Sequence, residues 1–399
     1  MSNQELPEYV VLMPPNEDRD YSLIALGAVD HFRVQDADFS CWANLDAWIS
    51  KHRTWIFGFI SYDAKNGIEK LSSNNPMYVS VPDIHFFVPE CVAIQKAGRT
   101  KVIHGDWNGS LEDLFEKPTM DESFEINPQP VQSKSEYLES VNALLHHIHR
   151  GDIYEVNYCQ QFHASTKLNS SFDIFQKLYG ITEAPHSVFL RMNHLHVMCG
   201  SPERYLTRSG NSVQSQPIKG TMRRGKDEVE DAFLKNALQH SQKEISENVM
   251  IVDLVRNDLS KSAKRGSVVV EELFGVKSFK TVHHLVSTIK SEVNQETGFG
   301  HLIYDTFPMG SMTGAPKVKA MELIEQYERT RRGLYSGTIG FISPEGNFDF
   351  NVVIRSLIYD EREQKIVFSV GGAITAKCSP EDEYLECLLK AEAMMKALA

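Results

Sequence analysis

The sequence predicts an α+β fold rich in antiparallel strands. Helical and strand patterns are mixed along the 399 residues, and many of the predicted strands follow one another directly. A doubly wound parallel fold would alternate strands with helices, so it is the less favoured class. Hydrophobic residues make up 42% of the chain, and a chain of this length can bury a large core without disulfides.

The first part of the chain predicts strands. Short apolar runs separated by polar residues continue to about residue 117, for example at Tyr9–Met13 and Ile56–Ile60. Residues 118–133 contain three prolines and no clear periodicity, which is typical of a linker. We therefore expect an N-terminal region over residues 1–125.

The second part mixes helices with strands. A helix is expected after Ser133, which forms a capping-box pattern with Glu136, and Gly151 is its expected end. The later helices are predicted at 227–256, with a break near His240 and Ser241, and at 316–328. The later strands are predicted at 267–290 as a pair, and at 335–342, 349–359 and 365–371.

The last helix has a well-marked beginning. Ser379 is the expected N-cap, Pro380 suits the first helical position, and acidic residues fill the first turn. The expected buried face of this helix consists of Leu385, Leu388, Leu389 and Met395.

Composition excludes several classes of protein. The formal charge is 41 − 53 = −12, so general binding to nucleic acid is not expected. Six cysteines without CxxC spacing indicate free thiols in a reducing compartment. The polar N-terminus and the short apolar runs predict neither a signal peptide nor a membrane span. We expect a cytoplasmic protein.

Two pairs of glutamates form a candidate metal site. Glu244 and Glu247 are three residues apart, as are Glu383 and Glu386, so each pair shares one face of a predicted helix. If both pairs met, their oxygens would suit Mg²⁺ and an anionic ligand. Spacing alone favours the simpler alternative of two solvated helix faces.

Single residues in three other segments are candidates for chemistry. Lys219 lies in PIKGT, where a rigid, partly apolar setting near cations would favour loss of its proton; a surface turn is the alternative. Glu203 in SPERYL could act as a buried acid or pair with a neighbouring arginine. Arg355 lies within the predicted strand NVVIRSL and needs a carboxylate partner, from a substrate or from the protein.

The order of several sequence segments along the chain resembles that of a known enzyme family. SPERYL, PIKGT, ENVMIVDLVRNDLS, VHHLVSTI, PMGSMTGAPKVKAMELIE, NVVIRSL and EDEYLECLLKAEAM follow one another in the chain. Together they resemble the chorismate-utilising enzymes, which include anthranilate synthase component I, aminodeoxychorismate synthase component I, isochorismate synthase and salicylate synthase. The resemblance covers about residues 132–397, which would form the chorismate-binding catalytic region.

The resemblance implies a fold and an activity. The implied fold has two large packed antiparallel sheets flanked by helices, in α/β/β/α layers, and the N-terminal region shares those sheets. Lysine at the position of Lys219 is typical of aminodeoxychorismate synthases, whereas anthranilate synthases usually have alanine. The implied reaction replaces the C4 hydroxyl of chorismate with ammonia, which a separate glutamine amidotransferase subunit supplies, for 4-aminobenzoate and folate synthesis.

The resemblance also implies roles for residues. Lys219 would attack C2 of chorismate, Glu203 would protonate the departing hydroxyl, and His284 would lie near the ring. The implied Mg²⁺ ligands are Glu247 and Glu386 directly, with Glu244 and Glu383 holding metal-bound waters. The implied substrate-binding residues are Arg355 and Tyr335 at the enolpyruvyl carboxylate, and Gly220, Thr221, Gly371 and Gly372 along the pocket.

Three alternatives stay open. The chain could be an anthranilate synthase component I in which Lys219 is incidental. It could be a catalytically silent subunit that only binds chorismate. A water-using isochorismate synthase, whose product would form without ammonia, is the weakest alternative.

Overall fold

Two antiparallel sheets with flanking helices form the protein, as expected for the predicted α+β class. The structure is a computed structural model that describes residues 7–107, 126–280 and 282–399. Within these ranges the larger sheet has eleven strands and the smaller has ten.

The strands follow the chain in this order. They are β1 (Tyr9–Met13), β2 (Ser22–Leu26), β3 (Asp30–Val34), β4 (Ile56–Ile60), β5 (Ile84–Val88), β6 (Cys91–Lys96), β7 (Arg99–Gly105), β8 (Gln129–Pro130), β9 (Glu155–Ser165), β10 (Val188–Met192), β11 (Leu195–Cys199), β12 (Arg204–Ser209), β13 (Ser212–Gln216), β14 (Ile218–Arg223), β15 (Val269–Ser278), β16 (Val282–Glu292), β17 (Gly314–Ala315), β18 (Thr338–Ile342), β19 (Phe348–Asn351), β20 (Ser356–Asp360) and β21 (Lys365–Thr375).

The helices lie between and after these strands. They are α1 (Cys41–His52), α2 (Lys134–Arg150), α3 (Ser171–Thr182), α4 (Glu228–Gln239), α5 (Gln242–Ser262), α6 (Phe299–Thr306), α7 (Lys317–Tyr327) and α8 (Pro380–Leu398). Short 3-10 helices occur at Tyr62–Gly67 and Gly310–Met312. None of the helices in the described ranges is long and apolar enough to cross a membrane.

Both sheets draw strands from both parts of the chain. The larger sheet runs β17-β9-β21-β20-β11-β10-β1-β2-β6-β7, and β8 pairs with β9. The smaller sheet runs β14-β16-β13-β12-β19-β18-β4-β5-β3, and β15 pairs with β16. Strands from the two parts of the chain pair directly at two places, where β1 pairs with β10 and β4 pairs with β18. Of the predicted linker, residues 118–125 lie outside the described residues, so the proposed boundary stays a prediction.

Three apolar clusters account for the layering. One lies between the sheets and includes Val11 and Leu190 from the larger sheet with Phe57 and Phe87 from the smaller one. A second packs α2, α3, α7 and α8 on the outer face of the larger sheet. The third packs α1, α5 and α6 on the outer face of the smaller sheet. Burial on both faces explains why so many strands are continuous apolar runs.

The signals for helix ends are confirmed. Both hydrogen bonds of the Ser133–Glu136 capping box form at the start of α2, and Gly151 ends that helix with φ 86°. The predicted break at His240 and Ser241 separates α4 from α5. Ser379 accepts a hydrogen bond from the Asp382 backbone at the start of α8. These local patterns act through backbone groups within one turn, so the sequence specifies them.

Two predictions about elements are wrong. Leu385, Leu388 and Leu389 are 58%, 37% and 65% exposed, because α8 packs through Cys387, Ala391 and other residues that include Met394. Met395 is partly buried against the core. The predicted strand 349–359 is interrupted: β19 ends at Asn351 and β20 begins at Ser356.

Candidate active site

A β-bulge places Lys219 near the N-terminal ends of α5 and α8, and the region that it shares with Glu203 and Glu247 is called the cleft. Strand β14 pairs with β16 at Ile218 with Val286 and at Thr221 with His284, so three steps along β14 oppose two along β16. Gly220 has φ 85°, a conformation that glycine adopts without strain. Bulges re-aim side chains beside functional sites, and this one leaves Lys219 buried rather than in a surface turn.

The Lys219 ammonium is paired with a carboxylate that the sequence patterns did not identify. Its Nζ donates a hydrogen bond to Oε1 of Glu155 at 2.6 Å, and both side chains are buried. Burial opposes the charge of Lys219, but attraction to Glu155, Glu247 and Glu203 outweighs it and raises the lysine pKa. The expectation that nearby cations would favour loss of the Lys219 proton is therefore wrong. Arg223 and Arg224, the cations next in sequence, pair instead with Glu230 and Asp231.

Glu203 is a buried acid on the same cleft. Burial raises its pKa to about 7, against the opposing effects of a hydrogen bond from Ser311, the Ile218 backbone and the charge of Lys219. The Ser311 hydroxyl donates to Oε1 at 2.7 Å, and the Ile218 N–H lies 3.5 Å from the same oxygen. Because both donors meet Oε1, a proton on this carboxyl belongs on Oε2. The side chain does not pair with its neighbour Arg204, which binds Asp349.

Arg355 lies in the break between β19 and β20, which corrects its predicted place inside a strand. Its backbone adopts φ 50°, outside the range of strands. Burial lowers the pKa of its guanidinium to about 10, against the attraction of Glu203. In the described part of the chain no carboxylate oxygen lies within 4 Å of this guanidinium. A half-buried arginine without a protein carboxylate is suited to bind a carboxylate ligand.

His284 is a neutral neighbour of Arg355. Burial and the charge of Arg355 lower its pKa far below the ordinary value. Nη2 of Arg355 lies 3.4 Å from Nε2, and the Thr221 hydroxyl lies 3.0 Å from Nδ1. Since a guanidinium can only donate, Nε2 must accept and the proton belongs on Nδ1. His284 thus presents an uncharged ring edge to the cleft.

The four predicted glutamates lie at the starts of α5 and α8. Ser241 and Ser379 cap these helices, so each glutamate pair occupies the first two turns. Glu383 and Glu247 are buried. Burial raises the pKa of Glu247 to about 7, and raises that of Glu244 and Glu383 with the added repulsion of Glu386. Repulsion from Glu386 of α8 acts on Glu244 of α5, and Lys243 of α5 lies 3.4 Å from Glu383 of α8, so the two pairs face one another, which spacing alone did not favour.

Lysines neutralise part of this acidic cluster. Lys390 Nζ lies 2.7 Å from Glu386 and donates to the Gly371 carbonyl at 2.8 Å, and its charge lowers the pKa of Glu386 against the effect of burial. Lys243 Nζ lies 3.4 Å from Glu383. In the described ranges no three His, Cys, Asp or Glu side chains are grouped closely enough to hold a metal ion. The four carboxylates supply the oxygen donors that Mg²⁺ prefers, and Oε1 of Glu247 is buried without a hydrogen-bond partner there.

Glycines make room for this acidic cluster. A Cβ on Gly372 would lie 2.9 Å from Oε2 of Glu383, and a Cβ on Gly220 would lie 2.9 Å from Oε2 of Glu244. Gly371 instead faces β9, where a Cβ would meet the Tyr158 carbonyl at 2.4 Å. The absence of side chains at Gly220 and Gly372 lets strand backbone approach the glutamates.

Tyr335 and Thr221 are the remaining predicted substrate-binding residues, and the contacts described for Tyr335 join it to Cys159 rather than to Lys219 or Arg355. Tyr335 is buried, and its hydroxyl lies 3.5 Å from Sγ of Cys159, a residue of β9. Burial raises the Tyr335 pKa, so the phenol is protonated. Thr221 is exposed, with its hydroxyl on His284.

Electrostatics link most of the predicted residues into one site. The charge of Lys219 lowers the pKa of Glu203, Glu244, Glu247 and Glu386, and the charge of Arg355 does the same for Glu203. The residues that sequence reasoning missed are Glu155, Ser311, Lys243 and Lys390. Glu155 could have been noticed, because it is a charged residue at the start of the long strand pattern EVNYCQQF and a buried charge needs a partner.

Comparisons with known proteins identify the family of this chain. The sequence profile of the chorismate binding enzyme family matches residues 11–396. A relative from Oryza sativa subsp. japonica, named probable aminodeoxychorismate synthase, chloroplastic, is 41% identical over 270 residues, which are 67% of this chain and 30% of that protein. Aminodeoxychorismate synthase component 1 of Escherichia coli K12 is 36% identical over 347 residues, which are 86% of this chain and 76% of that protein.

A solved structure shares the fold. The crystal structure of anthranilate synthase component I from Streptococcus pneumoniae TIGR4 superposes with a TM-score of 0.81 at 25% identity, over 94% of this chain and 92% of that one. The chain thus spans less than a third of the rice relative but most of the two bacterial proteins. The match covers both sheets and the cleft between α5 and α8, which confirms the resemblance seen in the sequence: the chain belongs to the chorismate binding enzyme family.

Proposed function

We propose that this chain converts chorismate and ammonia to 4-amino-4-deoxychorismate. The observation that carries the proposal is the placement of Lys219, a buried amine, in one cleft with Glu203, an acid whose pKa is about 7. This pairing supplies a nucleophile and a proton donor for the exchange of a hydroxyl group. The names of the rice and E. coli relatives support the same activity.

Arg355 and Tyr335 are proposed to bind the enolpyruvyl carboxylate. Arg355 offers a planar fork of donors without a competing carboxylate in the described residues, and the protonated Tyr335 offers a phenol donor. The neutral ring of His284 accepts from Arg355 and so holds the guanidinium in place. Gly220, Thr221, Gly371 and Gly372 would form the pocket wall.

Lys219 and Glu203 are proposed to act on opposite ends of the reacting diene. The Lys219 amine would attack C2 as the ring double bonds shift and the bond from C4 to its hydroxyl breaks. Hydroxide is a poor leaving group, so Glu203 would donate a proton and let it depart as water. Ammonia would then attack C4, the double bonds would shift back, and the lysine would leave C2.

The acidic cluster fits Mg²⁺ in its chemistry. Glu247 and Glu386 would hold the ion directly, and Glu244 and Glu383 would hold its waters; Lys390 and Lys243 would then release Glu386 and Glu383. A bound Mg²⁺ supplies positive charge for the ring carboxylate of the substrate. The unpartnered Oε1 of Glu247 and the glycine-lined approach support this assignment.

The ammonia is proposed to come from glutamine through a separate amidotransferase subunit. The name component 1 of the E. coli relative implies a second component. The described cysteines are all free, which supports the proposed cytoplasmic location.

Product identification tests the proposal. The purified chain is mixed with chorismate, Mg²⁺ and ammonium, which replaces the partner subunit, and the products are separated with mass and fluorescence detection. We expect a product in which an amine replaces the hydroxyl and the enolpyruvyl group is retained. We expect the Lys219→Ala variant to form none of this product, because it lacks the proposed nucleophile.

Anthranilate synthesis is the second candidate, because the structure from S. pneumoniae that shares the fold carries that activity in its name. Release of pyruvate with a fluorescent ortho-amino acid would establish it and make Lys219 incidental. Binding of chorismate without turnover, even with an amidotransferase partner present, would identify a silent subunit.

A further inference from the structure

The ion pair between Lys219 and Glu155 is poorly satisfied for a buried pair. Nζ of Lys219 donates one hydrogen bond in the described part of the chain, to Oε1 of Glu155. Oε2 of Glu155 is buried and has no hydrogen-bond partner among the described residues. Burying two charges costs more than a single contact returns, so such a pair is a weak stabilising element. Unsatisfied buried groups of this kind are typical of reacting sites.

A second, partly exposed lysine shows how the hydrogen bonding of a structural ion pair differs. Nζ of Lys317 donates to Asp258 and also to the carbonyls of Thr306 and Pro308, at 3.2 and 2.9 Å. The other oxygen of Asp258 accepts from Lys261. Lys317 thus donates three hydrogen bonds, and both oxygens of Asp258 accept one. Lys219 donates one, and Oε2 of Glu155 has no partner among the described residues.

Lys219 must lose a proton before it can attack carbon. The surrounding carboxylates raise its pKa, so the resting group is an ammonium ion without a lone pair. Glu203 has to keep its own proton for the leaving hydroxyl, and Glu247 belongs to the acidic cluster. Glu155 Oε1 lies 2.6 Å from Nζ and is the carboxylate in direct hydrogen-bond contact with it.

We propose that Glu155 is the catalytic base that takes the proton from Lys219, an inference that rests on the proposed function. The proton moves from Nζ to Oε1, which leaves a neutral amine and a neutral carboxylic acid. The nitrogen lone pair then forms the bond to C2, the ring double bonds shift, and the C4 oxygen leaves as water with the proton of Glu203. When ammonia later displaces the lysine, the amine recovers its proton from Glu155, and the new C4 ammonium returns one to Glu203.

Single-turnover measurements with the full chain test this role. Chorismate and Mg²⁺ are mixed with the enzyme without ammonium, the reaction is quenched, and the covalent adduct on Lys219 is quantified by mass spectrometry. We expect Glu155→Gln to slow adduct formation at pH 7 by about 100-fold, within the usual range for loss of a general base. Glu155→Asp, which retains a carboxylate, is expected to recover part of the rate.

The pH dependence separates a base from a structural group. The rate of Glu155→Gln divided by that of the wild type should rise with pH, because solvent removes the proton from Lys219 instead, and ionisation of Glu203 cancels in the ratio. Asp258→Asn serves as the control for a structural lysine pair. It should lower the melting temperature without changing the rate per folded molecule or the pH ratio.

The outcomes are distinct. A Glu155→Gln variant that is folded and forms the adduct at the wild-type rate, with a flat pH ratio, would overturn the role of Glu155 alone. A wild-type enzyme that forms no adduct, and makes no amino product with ammonium, would overturn the proposed function and the inference with it.

Discussion

Buried charges define this site at the scale of single residues. The cleft holds buried carboxylates and a buried lysine beside a half-buried arginine, and the environment of each group shifts its pKa. Burial keeps Glu203 partly protonated at neutral pH, and the surrounding carboxylates keep Lys219 charged. Groups tuned in opposite directions within one cleft are typical of acid–base catalysis.

Glu203 predicts how the reaction depends on pH. Because its pKa is about 7, the acid form needed for proton donation is lost above that pH, and the rate should fall about tenfold for each further unit. Glu203→Gln should lower the rate by at least about 100-fold and abolish this limb of the profile. The measurement is the initial rate of product formation from pH 6 to 9, and an unchanged profile in the variant would contradict the assignment.

The same residue predicts a cost in stability. The pKa rises from 4.5 to about 7 on folding, so the neutral form favours the folded state and this advantage is lost as the pH rises from about 4.5 through 7. At pH 8 Glu203→Gln should therefore be more stable than the wild type, by up to roughly 3 kcal/mol, with little difference near pH 4.5. Denaturant unfolding at the two pH values measures this, and equal stability at pH 8 would show that the carboxyl is not desolvated as described.

Glu247 predicts a response to magnesium that does not depend on turnover. If this buried carboxylate binds the ion, Mg²⁺ should raise the melting temperature of the wild type by mass action. Glu247→Gln should lose that rise and the Mg²⁺-dependent rate while remaining folded. Asp253→Asn, an exposed position on the same helix, is the control and should keep both.

At the scale of elements, local backbone geometry orients the candidate site residues. The bulge in β14 turns Lys219 inward, and the capped starts of α5 and α8 present the glutamates from two directions. The break before β20 places Arg355 in a conformation that a continuous strand would not allow. The bulge, the helix caps and the strand break each involve only a few residues and leave the surrounding sheet intact.

Two adjacent glycines of β21 predict different effects. In Gly371→Ala the new methyl group would press on the Tyr158 carbonyl and on Cys159, which are held by the β9–β21 ladder, so a loss of about 1–3 kcal/mol is expected. In Gly372→Ala the methyl group meets the flexible end of Glu383, so stability should change by under about 1 kcal/mol while Mg²⁺ binds more weakly. Unfolding curves and magnesium titrations of both variants test this, and the reverse order of effects would contradict the described packing.

At the scale of the whole molecule, strands from distant parts of the chain complete both sheets. Strand β1 lies beside β10, and β4 lies beside β18, so the core between the sheets is built jointly. Strand edges without their neighbours are prone to aggregate. The residues of the cleft range from Glu155 to Glu386 along the chain. The cleft therefore forms only when the strands and helices that carry these residues are folded together.

This architecture predicts that residues 126–399 are not stable alone. A fragment that begins at residue 126 would expose the edges of β10 and β18 and half of the apolar core between the sheets. We expect it to be insoluble or to bind hydrophobic dyes, and co-expression of residues 1–125 to restore a folded complex. A monomeric, cooperatively unfolding fragment would show instead that the boundary near residues 118–133 separates independent domains.

The sequence by itself determined the α+β class, the helix caps at Ser133 and Ser379, the break before α5, and the family. These follow from periodicity, from backbone groups within one turn and from an ordered set of motifs, all of which are local in the chain. Tertiary structure alone decided that the two glutamate pairs face one another and that Glu155 pairs with Lys219, residues 64 positions apart. It also decided that α8 leaves its leucines exposed and that Arg355 lies outside a strand. Burial, pKa and ion pairing depend on neighbours that distant strands bring together, and no local pattern encodes that distance.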